Sequence, residues 1–463
     1  MSRARIALAG AGLIGRAHAA RLRASTAATL AAIADPAPAA AAFAAELGVL
    51  HFPALAPMLD AVRPDGAIVA TPNARHVPDG LACVERGVPA LIEKPLADDV
   101  AGGDEELAAA ERAGVALLVG QYRRHNPIIV RAREIVRGGG LGRIATVAGF
   151  TTFLKPDPYF VAGPWRREKG GGPVLINLIH GIDDLRFIVG EIEGVQAFVS
   201  SAIRGFAVED SAVALLRFAG GALGTFTLSD VAAAPWSWEM SSRENEAYPQ
   251  LGEDCYLIGG TEGALAVPSL RRWRYEGERS WMAPLAVATE TVEPADPLAR
   301  QIEHFVAVIR GEAPPLVSGR DALGTLAATL AVREAAAARA GPARAWREAQ
   351  EPIFSRETRP SRQAITLSGV SLPVRGFSAL GTPSIVIVKR AASASTSIVC
   401  VLRVEPGSAQ ISTRVASGPM PARLSAAATL TLAGNPFAAS RAVPAKIRVF
   451  SVSAMTSMRL ASR

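Results

Sequence analysis

Short apolar runs recur through the first part of the chain, separated by stretches whose apolar residues return every three or four positions. The runs at 6–9, 30–34, 66–70, 90–92 and 116–119 read as strands buried on both faces. Helical spacing follows the first run to about Arg23 and returns near 77–86 and 104–113. This alternation predicts an α/β fold over residues 1–122, a doubly wound parallel sheet with helices on both faces. After residue 122 the pattern changes. A helix is expected over 127–136, then strands at 143–153, 194–204, 211–218, 222–229 and 255–258, rich in Val, Ile, Phe and Thr. Helices over 297–310 and 319–339, the second capped by Ser318, close this stretch. Residues 123–342 therefore read as an α+β domain. Gly259-Gly260-Thr261-Glu262-Gly263 has strands on both sides and reads as a hairpin turn.

One stretch combines both kinds of signal. Gly170-Gly171-Gly172 gives a loop, and Pro173 suits the first position of a helix running to Gly190. Leu178, Ile182, Leu185 and Val189 share one side of it, and Ile176, His180, Asp183 and Phe187 the other. A carboxylate three residues after a histidine can orient its imidazole, so Asp183 is expected to serve His180 in proton transfer.

The first predicted strand runs straight into Gly10-Ala11-Gly12-Leu13-Ile14-Gly15, with a helix following. Gly10 permits the tight turn, Gly12 lets backbone approach a pyrophosphate, and Gly15 lets helix and strand pack closely. The helix N-terminus supplies free N–H groups and partial positive charge. Asp35 ends the second strand, where an acid hydrogen-bonds ribose hydroxyls and repels a 2′-phosphate, which favours NAD over NADP. The carboxyl ends of later strands carry Thr71-Pro72-Asn73, Glu93-Lys94-Pro95 and Gln121-Tyr122-Arg123-Arg124. A lysine at Lys94 can steady an alkoxide forming beside a nicotinamide.

The order of these motifs resembles the glucose–fructose oxidoreductase, inositol dehydrogenase and rhizopine-catabolism family (Gfo/Idh/MocA) over about residues 3–340. The resemblance implies an N-terminal Rossmann domain, and a C-terminal α+β domain whose large open, mostly antiparallel sheet commonly mediates dimers or tetramers. It implies NAD(P)-dependent oxidoreduction of sugars, polyols and related hydroxy acids. It implies Lys94 and His180 at the reacting carbon, and Thr71, Asn73, His76, Glu93 and Gln121 along the cofactor beside the Gly10, Gly12, Leu13, Ile14 and Gly15 loop. The family often carries an aspartate four residues before the histidine; that position here is Ile176. Asn177 is turned about 100° around a regular helix from it, and is expected to bind substrate.

Composition refines this picture in three places. The formal charge of +7 over 463 residues belongs to the C-terminal stretch: residues 351–463 hold 14 Lys and Arg against 3 Asp and Glu, leaving 35 basic and 39 acidic residues before them. The body gives no reason to expect nucleic acid or a membrane surface. Residues 343–463 are rich in Ser, Ala, Arg and Pro without amphipathic periodicity, and read as a disordered or misassigned extension. Cys83, Cys255 and Cys400 fit no metal or redox spacing and suit a reducing cytoplasm, the expected location. The loop stretches around Trp165, Arg166 and Arg167 and around Trp236, Trp238 and Tyr248 set aromatic rings beside arginines. With Arg123, Trp165 and Arg166 are expected to meet a hydroxylated or carboxylated substrate. Dihydrodiol or hydroxy-acid oxidation, NAD-dependent glycoside cleavage and a non-catalytic NAD-binding role are the competing readings.

Overall fold

The structure, a computed structural model, describes residues 2–339 and, beyond them, the backbone of strands between 368 and 451. The chain divides into two compact units, Met1–Glu351 and Pro352–Arg463.

The first unit opens with β1 (Ala4–Ala9), α1 (Leu13–Ala24), β2 (Ala28–Ala34), α2 (Pro38–Leu47), β3 (Leu50–Phe52), α3 (Leu55–Val62) and β4 (Gly66–Val69). It continues with α4 (His76–Val84), β5 (Ala90–Ile92), α5 (Val100–Ala113) and β6 (Leu117–Val119). The strands pair in parallel in the order β3-β2-β1-β4-β5-β6. The order reverses between β1 and β4, so the crevice at their carboxyl ends lies where the connections diverge to opposite faces. Small side chains make β1 close-packed: Ala7 and Ala9 face one layer of helices, Ile6 and Leu8 the other, and all are buried. The helices α2 and α3 and the strand β3 carry too weak a pattern to be read from spacing, because α2 is mostly alanine and β3 is very short.

A second sheet follows. Its elements are α6 (Pro127–Arg137), β7 (Ile144–Thr152), α7 (Asp157–Val161), α8 (Ile179–Ile188), β8 (Ile192–Ser200), β9 (Ser211–Phe218), β10 (Leu223–Ser229), α9 (Trp238–Ser241) and β11 (Tyr256–Gly260). Then come β12 (Gly263–Val267), β13 (Arg271–Arg274), β14 (Ala286–Thr289), α10 (Pro297–Ile309) and α11 (Gly319–Arg339). The strand order is β14-β13-β12-β11-β7-β10-β9-β8, with β7 and β10 parallel and the other pairs antiparallel. On β9, Ala212, Ala214, Leu216 and Phe218 are buried beneath helices while Val213 and Leu215 face outward, the period-two alternation of a sheet covered on one side. The hairpin at Gly260–Gly263 joins β11 to β12 as its sequence implies.

Three expectations change here. The helix near 297–310 was expected to close the second domain; instead Ile302, Phe305 and Val306 of α10 pack into the core of the first sheet beside Ile6 and Leu8. The segment from Pro173 to Gly190 is not one regular helix with an apolar and a polar side. Val174–Leu178 winds as a wider π turn, and every residue of α8 is buried. Gly181 makes that burial possible, since a Cβ there would lie 2.4 Å from the Phe226 ring of β10, and one at Gly149 of β7 would lie 2.5 Å from the same ring. Trp238, expected in a loop, starts α9 and is fully buried.

In the second unit, β16 (Ile385–Ala392), β17 (Thr396–Val404), β18 (Gln410–Ser417) and β19 (Leu424–Thr431) form an antiparallel sheet in sequence order, and β15 (Ser368–Ser371) pairs with β20 (Arg448–Ser451). The apolar run at 385–388 falls in β16. The expectation of a disordered or misassigned extension otherwise concerns residues outside the described ones.

Candidate active site

The loop after β1 is shaped by its glycines. Gly10 has φ +92°, and a Cβ there would lie 2.3 Å from the Ala70 carbonyl oxygen; one on Gly15 would lie 2.0 Å from the Gly10 oxygen. Those two positions are demanded by the fold. Gly12 is different, because nothing lies within 4 Å of where its Cβ would be. No side chain caps α1, so its first N–H groups are free, and Leu13 beside them is 90 % exposed. Ile14 is half-buried in the next position. The Asp35 carboxylate accepts from the Ala11 and Ala37 N–H groups, both at 2.8 Å, and so ties the end of β2 to the loop. Open space before Gly12 together with uncapped N–H groups fits a dinucleotide pyrophosphate.

The turns after β4, β5 and β6 border the same crevice. Thr71 donates to Asp79 at 2.8 Å, and Asn73 begins a short 3₁₀ turn with its side chain free of protein partners among the described residues. His76 braces two loops, its Nδ1 at 2.6 Å from the Pro95 carbonyl and its Nε2 at 2.8 Å from the Thr71 carbonyl. Glu93 is buried and pairs with His18 at 2.8 Å. Burial alone would raise its carboxyl, but the His18 bond and the nearby Lys94 charge outweigh it and hold the group below the usual range. His76 and Glu93, expected along the cofactor, thus spend their polar atoms on the protein itself. Gln121 is buried with its Oε1 unpartnered.

The catalytic candidates converge on the π turn. Lys94 enters from the end of β5 and its Nζ donates to the Ile176 carbonyl at 3.3 Å. From the other side Lys155, between β7 and α7, donates from its Nζ to the Asn177 Oδ1 at 2.5 Å. His180 lies one turn further along, buried, with Nδ1 unpartnered and its ring edge-on to Tyr122 at 5.7 Å between centroids. Burial, reinforced by the Lys94 and Arg123 charges, pushes the imidazole well below its ordinary pKa, so the ring is neutral. Burial likewise lowers Lys94, against the pull of Glu93. Lys155 and Tyr122 were missed from sequence. The available signal for the first was scarcity: before residue 350 the chain uses lysine only at Lys94, Lys155 and Lys169, and arginine everywhere else.

Other expected site residues have different partners. Asp183 makes no hydrogen bond to His180. Arg124 grips it through two bonds, at 2.8 and 2.6 Å, and Thr325 of α11 donates to it at 2.7 Å. The guanidinium, itself shared with Asp321, is the stronger and better-placed partner. Arg123 is buried against Asp184 at 3.3 Å and Glu239 at 2.9 Å and lies over the Trp238 ring, so its charge is already matched. Asp184 also accepts from the Tyr256 hydroxyl at 2.7 Å. Arg166 stacks on Tyr159 at 3.9 Å and donates to the same residue's carbonyl, while Trp165 beside it is half exposed. Arg123 therefore offers no free guanidinium to a substrate, whereas Arg166 has no carboxylate partner among the described residues and its buried Nε makes no hydrogen bond.

Residues 4–121 match the oxidoreductase family with an NAD-binding Rossmann fold, and residues 129–266 match the GFO/IDH/MocA C-terminal domain. The D-apiose dehydrogenase of Paraburkholderia graminis is 30 % identical over 59 % of this chain and 71 % of its own length. The chain belongs to the Gfo/Idh/MocA oxidoreductases. Rhizopine catabolism protein MocA of Rhizobium meliloti is 27 % identical over 72 % of this chain and 95 % of itself. The WlbA dehydrogenase of Bordetella pertussis, solved with NADH and UDP-GlcNAcA, superimposes with a TM-score of 0.60 at 26 % identity over 73 % of this chain and 97 % of its own. As a Gfo/Idh/MocA protein this chain is an NAD-binding oxidoreductase, with the α/β and mixed-sheet architecture seen above. Among the described residues no helix is long and apolar enough to cross a membrane.

Proposed function

We propose that this protein is an NAD-dependent dehydrogenase acting on a secondary alcohol of a cyclic polyol, sugar or sugar acid. The observation that carries the reading is the meeting of Lys94, from the first sheet, with the turn that leads into His180, from the second. His180, kept neutral by its surroundings, takes the hydroxyl proton on its imidazole. The Lys94 ammonium stabilises the negative charge that grows on the same oxygen, in a buried setting where such an interaction is strong. Bound NAD supplies the hydride acceptor. Gly10, Gly12 and Gly15 shape its phosphate site, Leu13 and Ile14 border it, Asp35 meets the ribose, and Thr71, Asn73 and Gln121 line the crevice towards Lys94. Asn177 orients substrate through its amide. The protein works as a homodimer or homotetramer. The uncovered side of the second sheet supports this: Phe198 and Val213 are exposed there, and Leu215, Leu223 and Leu257 line a groove of about 1040 Å³ whose lining includes neither Lys94 nor His180.

The test follows NADH absorbance with the full chain, NAD⁺ or NADP⁺, and a panel of inositols, aldoses, sugar acids and dihydrodiols. One substrate class is expected to reduce NAD⁺, with Lys94→Ala silent. Full turnover in both Lys94→Ala and His180→Ala would end the mechanism. Product release without net NADH would instead indicate glycoside cleavage.

A further inference from the structure

Lys155 has no part in the proton transfer just described, yet it stands in the same site. Its side chain is 6 % exposed, too little for water to solvate an ammonium freely. An ammonium has three N–H donors. Asn177 takes one, and the Asp230 carboxylate stands 3.6 Å away, beyond hydrogen-bond length. Asp230 is already committed to Arg204 at 2.9 Å, so its charge is shared between two cations. The Phe153 and Tyr159 rings flank the ammonium at 5.9 and 5.2 Å and offer no counter-charge beyond their π faces. Lys94 reaches the backbone of the residue next to the one that Lys155 holds. Two ammonium groups therefore enter one buried site from opposite sheets. The carboxylates in reach each have a second partner, Glu93 in His18, Glu239 in Arg123 and Asp230 in Arg204. The N–H donors that Lys155 has left, beyond the one given to Asn177, suit an anionic acceptor.

We propose that Lys155 is the anion anchor of this site, and that the alcohol handled by Lys94 and His180 belongs to a molecule bearing a carboxylate, a hydroxy acid of the uronic or aldonic type. The inference rests on the dehydrogenase reading and narrows its substrate. It moves the acid-recognising role from Arg123, which two carboxylates already hold, to a lysine. Burial brings Lys155 down to about 8, against the pull of Asp230 and Glu239 and aided by Lys94, so the anchor discharges in mild alkali.

The experiment pairs each acid with its uncharged counterpart: D-glucuronate with D-glucose, D-galacturonate with D-galactose, D-gluconate with D-glucitol. At least one acid should be oxidised with kcat/KM about tenfold or more above its counterpart. Lys155→Met should erase that advantage, the acid losing about ten- to a hundredfold more than its neutral counterpart and mainly through KM. Lys155→Arg should restore it and carry acid oxidation to higher pH. Equal or greater activity on the neutral member of every active pair would overturn the proposal, as would equal losses on both members in Lys155→Met. That preference is measured on the unmodified protein, so it holds as a test even if the variant fails to fold. If no pair is oxidised, the dehydrogenase reading falls, and calorimetric titration of the same acids into the NADH-saturated protein decides the anchor alone. Binding that Lys155→Met abolishes supports it, and absent or unaltered binding refutes it.

Discussion

The loop after β1 and the turn before α8 serve the same reaction from opposite sheets, and they are built from different materials. The first uses backbone: glycines where a side chain would collide, and N–H groups left without partners. The second uses buried side chains held by partners from elsewhere in the fold, Arg124 by Asp183, Arg123 by Asp184 and Glu239, and Lys155 by Asn177. Backbone shape is local and is written in consecutive residues. Charge pairing is a tertiary property, decided by which of several competing partners lies nearest and is least solvated.

Each half of this contrast can be broken separately. The largest effect is expected at the chemical groups: His180→Ala should lower kcat by about 10² to 10⁴ while leaving NADH binding, followed by fluorescence, unchanged. Next comes the pairing itself. Asp183→Leu strips Arg124 of its buried partner and should cost about 3–5 kcal/mol of stability in urea unfolding, with turnover per folded molecule retained. A loss of turnover like that of His180→Ala, in protein that stays folded, would return Asp183 to the catalytic set. On the backbone side, Gly10→Ala meets both a positive φ and the Ala70 carbonyl and should destabilise the fold by about 1–3 kcal/mol. Gly12→Ala meets nothing, so its melting temperature should hold while NAD⁺ affinity falls about tenfold or more.

The last prediction concerns a carboxylate that escapes the pairing rule. Glu106 of α5 is fully buried against Gly80 of α4, and neither carboxyl oxygen has a partner. Burial raises it to about 8 from an ordinary value of 4.5. Between those values the folded chain keeps a proton that the unfolded chain releases. Stability from this group is therefore complete below pH 4.5 and declines as pH rises towards 8, by at most about 1.4 kcal/mol per unit. Glu106→Gln should flatten that slope in unfolding curves taken from pH 5 to 8; an unaltered slope would assign the dependence to other groups.

The same division explains what could be read before any coordinates. Gly10, Gly12, Gly15, Asp35 and Lys94 follow from short motifs placed between predicted elements, and the parallel order of the first sheet follows from their alternation. Asp183 was misread because helical spacing puts it near His180, while Arg124 and Thr325, distant in sequence, lie closer to its oxygens. The helix α10 went to the other sheet for a similar reason: Phe305 fits beside Gly66, a contact no local pattern announces. Lys155 sits in a loop with no periodicity, and only its rarity as a lysine set it apart.

The π turn at Val174–Leu178 bears on how descent is traced in such enzymes. Letter by letter, the position where the family resemblance leads one to expect an acid holds Ile176. The group that this stretch extends to a neighbouring cation is the amide of Asn177, one letter later and on a turn of different pitch. Kinship in function is then better judged by which atoms occupy the cleft than by which column of an alignment they come from.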